Sequence, residues 1–161
     1  MALQKKIQNN KLISKDDFNS LKNFFLTNNI NLQGYSNELG IYFRQLYQTV
    51  TFINKQGCLS YNEKYEYIKS LRVCLNVNEQ YLLFLNSLSS LGLVWEQSKS
   101  KDKEKLITKY NFLKNIPESY KRRFTKLDFE EYYPKINYEY MGDEKEKERK
   151  KWEKRYSESF L

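Results

Sequence analysis

The stretch Leu71–Gly92, LRVCLNVNEQYLLFLNSLSSLG, decides the predicted fold. Its middle, YLLFL, is apolar on every side of a helix, and such a helix usually lies inside a protein with other helices packed around it. Asn76 and Glu79 have the spacing of a capping box, which predicts where the helix begins. Gly92 predicts its end, because glycine adopts the left-handed conformation after a helix at little cost. We therefore expect a buried central helix over residues 77–91.

The segments before and after this helix predict further helices. Residues 37–55 carry apolar side chains at a 4-3-4-3 spacing, which makes one continuous stripe along a helix. Ser60 and Glu63 form a second capping-box pattern and predict a helix over residues 61–75. Apolar residues between 106 and 113 indicate one more helix, which ends before Pro117.

The composition favours an all-α protein with a single domain, built as a helical bundle of about five helices around residues 77–91. Only 5 Gly and 2 Pro occur in 161 residues, so few positions break helices. We divide the chain into a polar tail over 1–15, a helical core over 16–117, and a basic and aromatic C-terminal extension over 118–161. The extension ends in a charged segment, 143–156, which has acids first and bases last and so matches the dipole of an exposed helix.

Several classes of function are disfavoured by what the sequence lacks. It has no histidine, which removes histidine acid–base catalysis and histidine metal sites. Cys58 and Cys74 lack zinc-site spacing, so we expect two buried thiols and neither a metal nor a cofactor. The sequence has no apolar run of about 18 residues, so it does not predict a transmembrane segment. The N-terminus also lacks the apolar region of a secretion signal, and both observations favour a cytoplasmic protein.

One group of polar residues lies on or near the central helix. Its members are Arg44, Tyr47, Arg72, Glu79 and Asn86. On a functional interpretation they converge on one pocket, where the arginines bind a phosphate or carboxylate. On a structural interpretation they form a buried network that locks three helices, with Arg72 paired to Glu79. A catalytic use of Glu79 as a base is weaker, because no second carboxylate lies close in this segment.

The C-terminal extension offers a second, different candidate surface. Lys121, Arg122 and Arg123 form the densest uninterrupted basic triplet, in a chain whose net charge is +8, and they are a candidate contact for nucleic acid. A solvated loop explains them as well. The tyrosines of residues 132–140 predict an extended arm or short helices on the surface, which could contact a partner or a second copy of the chain.

Four short motifs resemble the family of putative phage abortive infection proteins, which are AbiC-like bacterial defence proteins. In chain order they are GIYFRQLY (40–47), YIKSLRVCL (67–75), NEQYLLFLNSLSSLG (78–92) and KYNFLKNIP (109–117), and together they cover about residues 35–117. The resemblance implies an anti-phage protein that stops growth or phage production after infection, through a phage or host protein or another ligand. Many members also carry N-terminal membrane-spanning helices, and this sequence offers no such segment.

Two other functions stay open from the sequence. A basic RNA- or DNA-binding module would use residues 119–126 and the terminal helix, and its affinity would fall steeply with salt. A nuclease-like toxin would need a metal held by carboxylates alone, since no histidine is present. The sequence contains no nucleophile elbow or phosphate-binding glycine loop, so it does not favour an enzyme.

Overall fold

The computed structural model describes residues 32–89, 92–96, 105–122 and 127–157. Within these ranges the chain forms helices and connecting turns and no strand, which confirms the all-α prediction. The α-helices of the described ranges are α1 (Leu32–Asn54), α2 (Tyr61–Cys74), α3 (Val77–Leu88), α4 (Leu106–Lys109), α5 (Phe129–Tyr132) and α6 (Gly142–Ser157). Three 3-10 turns accompany them: η1 (Leu93–Trp95), η2 (Glu118–Tyr120) and η3 (Glu139–Met141). The predicted polar tail, 1–15, lies outside the described residues.

The long helix α1 carries the predicted apolar stripe. Phe43 and Val50 are buried, and the other stripe residues, Leu39, Leu46 and Ile53, pack half-buried against the same core. The helix begins at Leu32, earlier than the start predicted from residues 37–55. The additional first turns include Gly34.

Both predicted capping boxes are present and fix the starts of α2 and α3. Ser60 N donates to Glu63 Oε2 at 2.8 Å, and Glu63 N donates to the Ser60 hydroxyl. The same exchange joins Asn76 and Glu79, with N–O distances of 2.8 and 3.0 Å. Each box gives side-chain acceptors to two backbone N–H groups that would otherwise lack partners at a helix start.

Helix α3 is the buried centre of the bundle, as predicted, but its end differs from the prediction. It stops at Leu88 rather than at residue 91, and Gly92 has φ −97°, so it is not left-handed. The reason for a glycine there is steric. A Cβ on Gly92 would lie 1.9 Å from the carbonyl oxygen of Asn86, which means that only a residue without a side chain fits.

The helix predicted over 106–113 is much shorter in the structure. Helix α4 is a single turn that ends at Lys109, and the chain then turns at Asn111, whose φ is +53°. Asparagine tolerates this left-handed conformation better than most residues. The Asn111 amide also bridges to the backbone of Asn137, accepting from its N–H at 2.9 Å. The apolar residues of the segment are buried in the core nevertheless.

The aromatic segment 132–140 is not a surface arm. Tyr133 and Tyr138 are buried in the same core as α3, and Tyr133 shares a 2.6 Å hydrogen bond with Ser87 on that helix. The ring of Phe84 contacts α5 as well as Tyr133. We predicted surface packing because tyrosine is common at interfaces, but the rings here fill the interior around α3 and their hydroxyls find partners there.

Two further predictions are corrected. Cys58 and Cys74 are both exposed rather than buried, because Cys58 follows the end of α1 in a turn and Cys74 lies on the outer side of α2. The charged helix over 143–156 is confirmed as α6, but it is not exposed on all sides, since Arg149 is only 5% exposed.

None of the helices in the described ranges combines the length and apolarity needed to cross a membrane.

Candidate functional site

The five residues of the predicted polar group do not converge on one pocket. Arg44 is exposed on α1, and the Tyr47 ring packs edge-on against Trp95 with centroids 5.2 Å apart. Asn86 is half-buried near the end of α3, where its carbonyl accepts from Ser89 and lies close to Gly92. Arg44 therefore faces solvent, whereas Tyr47 and Asn86 contact the segment 92–95.

Glu79 has structural partners that exclude the predicted pair with Arg72. Its carboxylate closes the capping box with Asn76 N and also accepts a 3.4 Å hydrogen bond from the Tyr42 hydroxyl. Burial, with a smaller contribution from Glu79, raises the pKa of Tyr42 to about 12. Glu79 thus joins the start of α3 to α1, whereas Arg72 lies on the inner face of α2 and points to another segment. The prediction that Arg72 pairs with Glu79 is therefore wrong.

Arg72 and Arg149 instead donate hydrogen bonds to the backbone carbonyls of four consecutive residues, 108–111, at the end of α4. Arg72 Nη1 donates to the carbonyls of residues 110 and 111, at 3.4 and 3.0 Å. Arg149 donates to the carbonyls of residues 108 and 109, at 2.7 and 2.6 Å. A helix leaves its last carbonyls without intrahelical donors, and cations are favourable at that end. The two arginines therefore connect α2 and α6 to the short helix between them.

Between α2 and α6 the surface forms a groove of about 270 Å³. Residues of α2, the turn at 111–114, Asn137 and α6 line it, so its walls come from both the predicted core and the C-terminal extension. Its cationic lining consists of Lys69, Arg72, Lys114, Arg149 and Lys150. We call this feature the α2–α6 groove. Of the predicted polar group, Arg72 is the member that lines it.

The charges in the α2–α6 groove do not cancel. Three of its cations have carboxylate partners on the same helix: Lys69 with Glu66 at 2.8 Å, Arg149 with Glu153 at 2.5 Å, and Lys150 with Glu146 at 3.3 Å. Within the described part of the chain, Arg72 and Lys114 have no such partner. The groove therefore carries two uncompensated positive charges, one of them buried.

Two polar atoms at the groove are buried without a hydrogen bond. Arg72 is 5% exposed, and among the described residues its Nε finds no acceptor. Asn137 is 4% exposed, and its Oδ1 likewise finds no donor there. Native structures leave few buried polar groups unpaired, because each costs about 1–3 kcal/mol. Both residues line the groove, and each keeps one shielded polar atom without a partner among the described residues.

One described carboxylate outside this groove has a raised pKa. The Glu96 carboxylate accepts from the N–H and hydroxyl of Thr108, at 2.8 and 2.9 Å. Although the residue as a whole is half-buried, its carboxyl end lies in the interior, and this burial raises the pKa of Glu96 to about 7. In the described ranges no cluster of three or more acidic or cysteine side chains could hold a metal ion.

The basic triplet is partly engaged with acidic side chains. Lys121 pairs with Glu130 at 2.8 Å, and that hydrogen bond raises the pKa of Lys121. Arg122 pairs with Glu131 at 2.6 Å. Arg123 lies outside the described residues. Nucleic-acid binding by this triplet stays a prediction, but two of its charges already have carboxylate partners.

The sequence interpretation missed Lys114, Asn137 and Arg149. Lys114 lies within a matched motif but gave no signal, because a single lysine on a turn is common. Arg149 lies in a run of charged residues, where a buried arginine has no apolar neighbour pattern to reveal it. The nearest signal is Trp152, one turn further on, which stacks under the Arg149 guanidinium with 4.3 Å from Cζ to the ring centroid.

Residues 34–121 match the family described as "Putative phage abortive infection protein". The matched region contains nearly all of α1 and continues through α2, α3 and α4 to η2, and it supplies Lys69, Arg72 and Lys114 of the α2–α6 groove. Searches of curated proteins and of solved structures gave no match. The match extends over more than half of the chain, which therefore belongs to the family of putative phage abortive infection proteins.

Proposed function

We propose that this protein acts in bacterial anti-phage defence by abortive infection, in the cytoplasm, through the binding of a ligand or of a phage or host protein at the α2–α6 groove. The single observation that carries the proposal is the family match over residues 34–121. The match covers one wall of the groove and both of its uncompensated cations, Arg72 and Lys114.

The chemistry of the groove supports recognition rather than catalysis. Its lining consists of cations, three carboxylates already paired with cations, the amides of Asn111 and Asn137, and Tyr65. Such groups bind and orient an anionic or polar partner. An acid–base reaction would need a titrating group near neutral pH, and the described carboxyl with that property, Glu96, does not line the groove.

The location of the groove also suits a switch. Its two helical walls are held together through the carbonyls of residues 108–111, which Arg72 and Arg149 contact. A partner that binds Arg72 competes with or reinforces these contacts, and so it changes how α2 and α6 pack. A ligand shifts an equilibrium only through such differential contacts with two states.

The proposal is tested by infecting cells that express the protein at a multiplicity of more than one phage per cell. In abortive infection we expect the infected culture to stop growing or die, and the number of phage released per infected cell to fall relative to cells with an empty vector. If infected cells survive while phage production falls, the protein defends by another route. If neither growth nor phage release changes for a broad set of phages, the defence function is wrong.

A further inference from the structure

We propose that the α2–α6 groove binds a small phosphate-bearing molecule, with Arg72 and Lys114 as the groups that bind the phosphate. This inference rests on the proposed function for its biological role, but the binding itself does not depend on it.

The first step is the charge that remains in the groove. Lys69, Lys150 and Arg149 are neutralised by glutamates on their own helices. Arg72 and Lys114 lack a carboxylate partner among the described residues, and the Arg72 residue is only 5% exposed. A buried cation is costly unless a counter-charge accompanies it. A phosphate monoester carries about two negative charges at neutral pH and would match these two cations.

The second step is the direction of the unused donors. Arg72 donates hydrogen bonds to the described residues through Nη1, which contacts the carbonyls of Tyr110 and Asn111. The edge formed by Nε and Nη2 has no acceptor from these residues, and Nε is buried. In arginine–phosphate pairs, the two parallel N–H groups of such an edge bind two phosphate oxygens at once. A single lysine ammonium beside it adds a point charge without restricting orientation.

The third step is size and the remaining polar group. The groove volume of about 270 Å³ is just below the range of about 300–1,000 Å³ found for drug-sized ligands, so it suits a small molecule rather than a polymer. Asn137 lines the groove, and its shielded Oδ1 has no donor among the described residues. That oxygen can accept from a hydroxyl or amino group of the ligand, next to the phosphate. Tyr65 also lines the groove and offers a ring face or hydroxyl to the rest of the molecule.

Lys114→Met is the variant that tests this site with the least risk to the fold. The Lys114 side chain forms no hydrogen bond or ion pair with the described residues, and its backbone carbonyl contact to Glu139 would remain. Lys151→Met is the matched control, because Lys151 is exposed on α6 and does not line the groove. Arg72 is unsuitable as the first choice, because it also holds the 110–111 backbone.

The experiment is isothermal titration calorimetry of the full chain with adenosine monophosphate, ribose 5-phosphate and adenosine. We expect both phosphorylated probes to bind and adenosine not to bind. We also expect affinity to fall about tenfold or more in Lys114→Met, because one charge-assisted contact to the phosphate is lost. Lys151→Met should bind like the wild type. The inference is overturned if adenosine binds as tightly as the phosphorylated probes, if neither phosphorylated probe binds, or if Lys114→Met binds unchanged.

The result separates this inference from the proposed function. If calorimetry gives the expected pattern but cells expressing the protein do not resist phage, the phosphate site stands and the defence function fails. If cells resist phage but no phosphorylated probe binds, the defence function stands and the phosphate site is wrong.

Discussion

At the scale of single residues, the carbonyl groups of residues 108–111 explain why two arginines lie in the interior of a small protein. Each carbonyl sits at or after the end of α4, and each accepts a hydrogen bond from Arg72 or Arg149. Buried arginines are rare unless they are paired in this way. Arg149 carries the larger share, because it also contacts the Lys135 carbonyl and the Glu153 carboxylate.

Replacing Arg149 by methionine should therefore cost stability. Arg149→Met keeps a long apolar stem but leaves the carbonyls of residues 108 and 109 without this donor, and we expect the free energy of unfolding to fall by about 3 kcal/mol. Lys151→Met, an exposed change on the same helix, should alter it by less than about 0.5 kcal/mol. Urea denaturation followed by circular dichroism measures both. A loss below about 1 kcal/mol for Arg149→Met would show that these contacts do not hold α6 in place.

Because of Glu96, the free energy of unfolding should fall as the pH rises from 5 to 8. Its carboxyl has a pKa of about 7 in the folded chain, against 4.5 for an unperturbed group, so the folded state keeps a proton that the unfolded state has lost between these values. The stabilisation is fully present below about pH 4.5 and is lost as the pH rises through about 7. We expect the free energy of unfolding to fall by about 2 kcal/mol between pH 5 and 8.

The control for this effect is a pair of glutamine variants. In Glu96→Gln the fall between pH 5 and 8 should largely disappear, because the group no longer ionises. The exposed Glu144→Gln variant should keep the slope of the wild type. Urea denaturation at four or five pH values gives the three slopes. A Glu96→Gln variant with the wild-type slope would mean that other groups cause the pH dependence.

At the scale of elements, the ends of helices separate what the sequence predicts from what it does not. The capping boxes at Ser60 and Asn76 were predictable, because a cap depends on residues three positions apart. The length of α4 was not predictable, because Asn111 breaks the helix through a hydrogen bond to Asn137, far along the chain. The role of Gly92 was missed for the same reason, since its constraint comes from contact with Asn86 and not from its own backbone angle.

Alanine at two glycines should distinguish these element-level constraints. A Cβ at Gly92 meets the backbone of Asn86 at 1.9 and 2.4 Å, so Gly92→Ala must displace the end of α3 and should cost about 2 kcal/mol or more. Gly40 lies inside α1, and apart from its chain neighbours and its own helix backbone no described atom lies within 4 Å of its Cβ position, so Gly40→Ala should stabilise the protein by about 0.5–1 kcal/mol. Thermal unfolding of both variants tests the opposite signs. Equal effects at the two positions would contradict the steric account of Gly92.

At the scale of the whole molecule, residues after 126 and residues of the family-matched region form one hydrophobic core. Phe129, Tyr133, Ile136 and Tyr138 are all at most 5% exposed, and Arg149 on α6 reaches the end of α4. The sequence indicated the all-α class and the central helix, because apolar periodicity is a local property. It did not indicate that the C-terminal aromatic residues close the core or that α2 and α6 face one groove, because both facts depend on contacts distant in sequence.

Removing this segment should therefore prevent stable folding. We expect a chain that ends at Lys126 to lose its cooperative thermal transition and to bind the hydrophobic dye ANS, because the apolar surface of α3 that Phe129 and Tyr133 cover becomes exposed. The full chain measured in parallel is the reference. A truncated chain that unfolds cooperatively near the temperature of the full chain would show that the protein folds stably without residues 127–161.

The measurement that tests the central claim most directly is the plating efficiency of phages on cells that express the wild type, Lys114→Glu or Lys151→Glu at equal protein levels. The claim is that this protein defends against phage through the α2–α6 groove. It predicts that the wild type and Lys151→Glu reduce plating, whereas Lys114→Glu does not, because reversing one of the two uncompensated charges repels an anionic partner. If Lys114→Glu restricts phage as strongly as the wild type, the groove is not the site of defence.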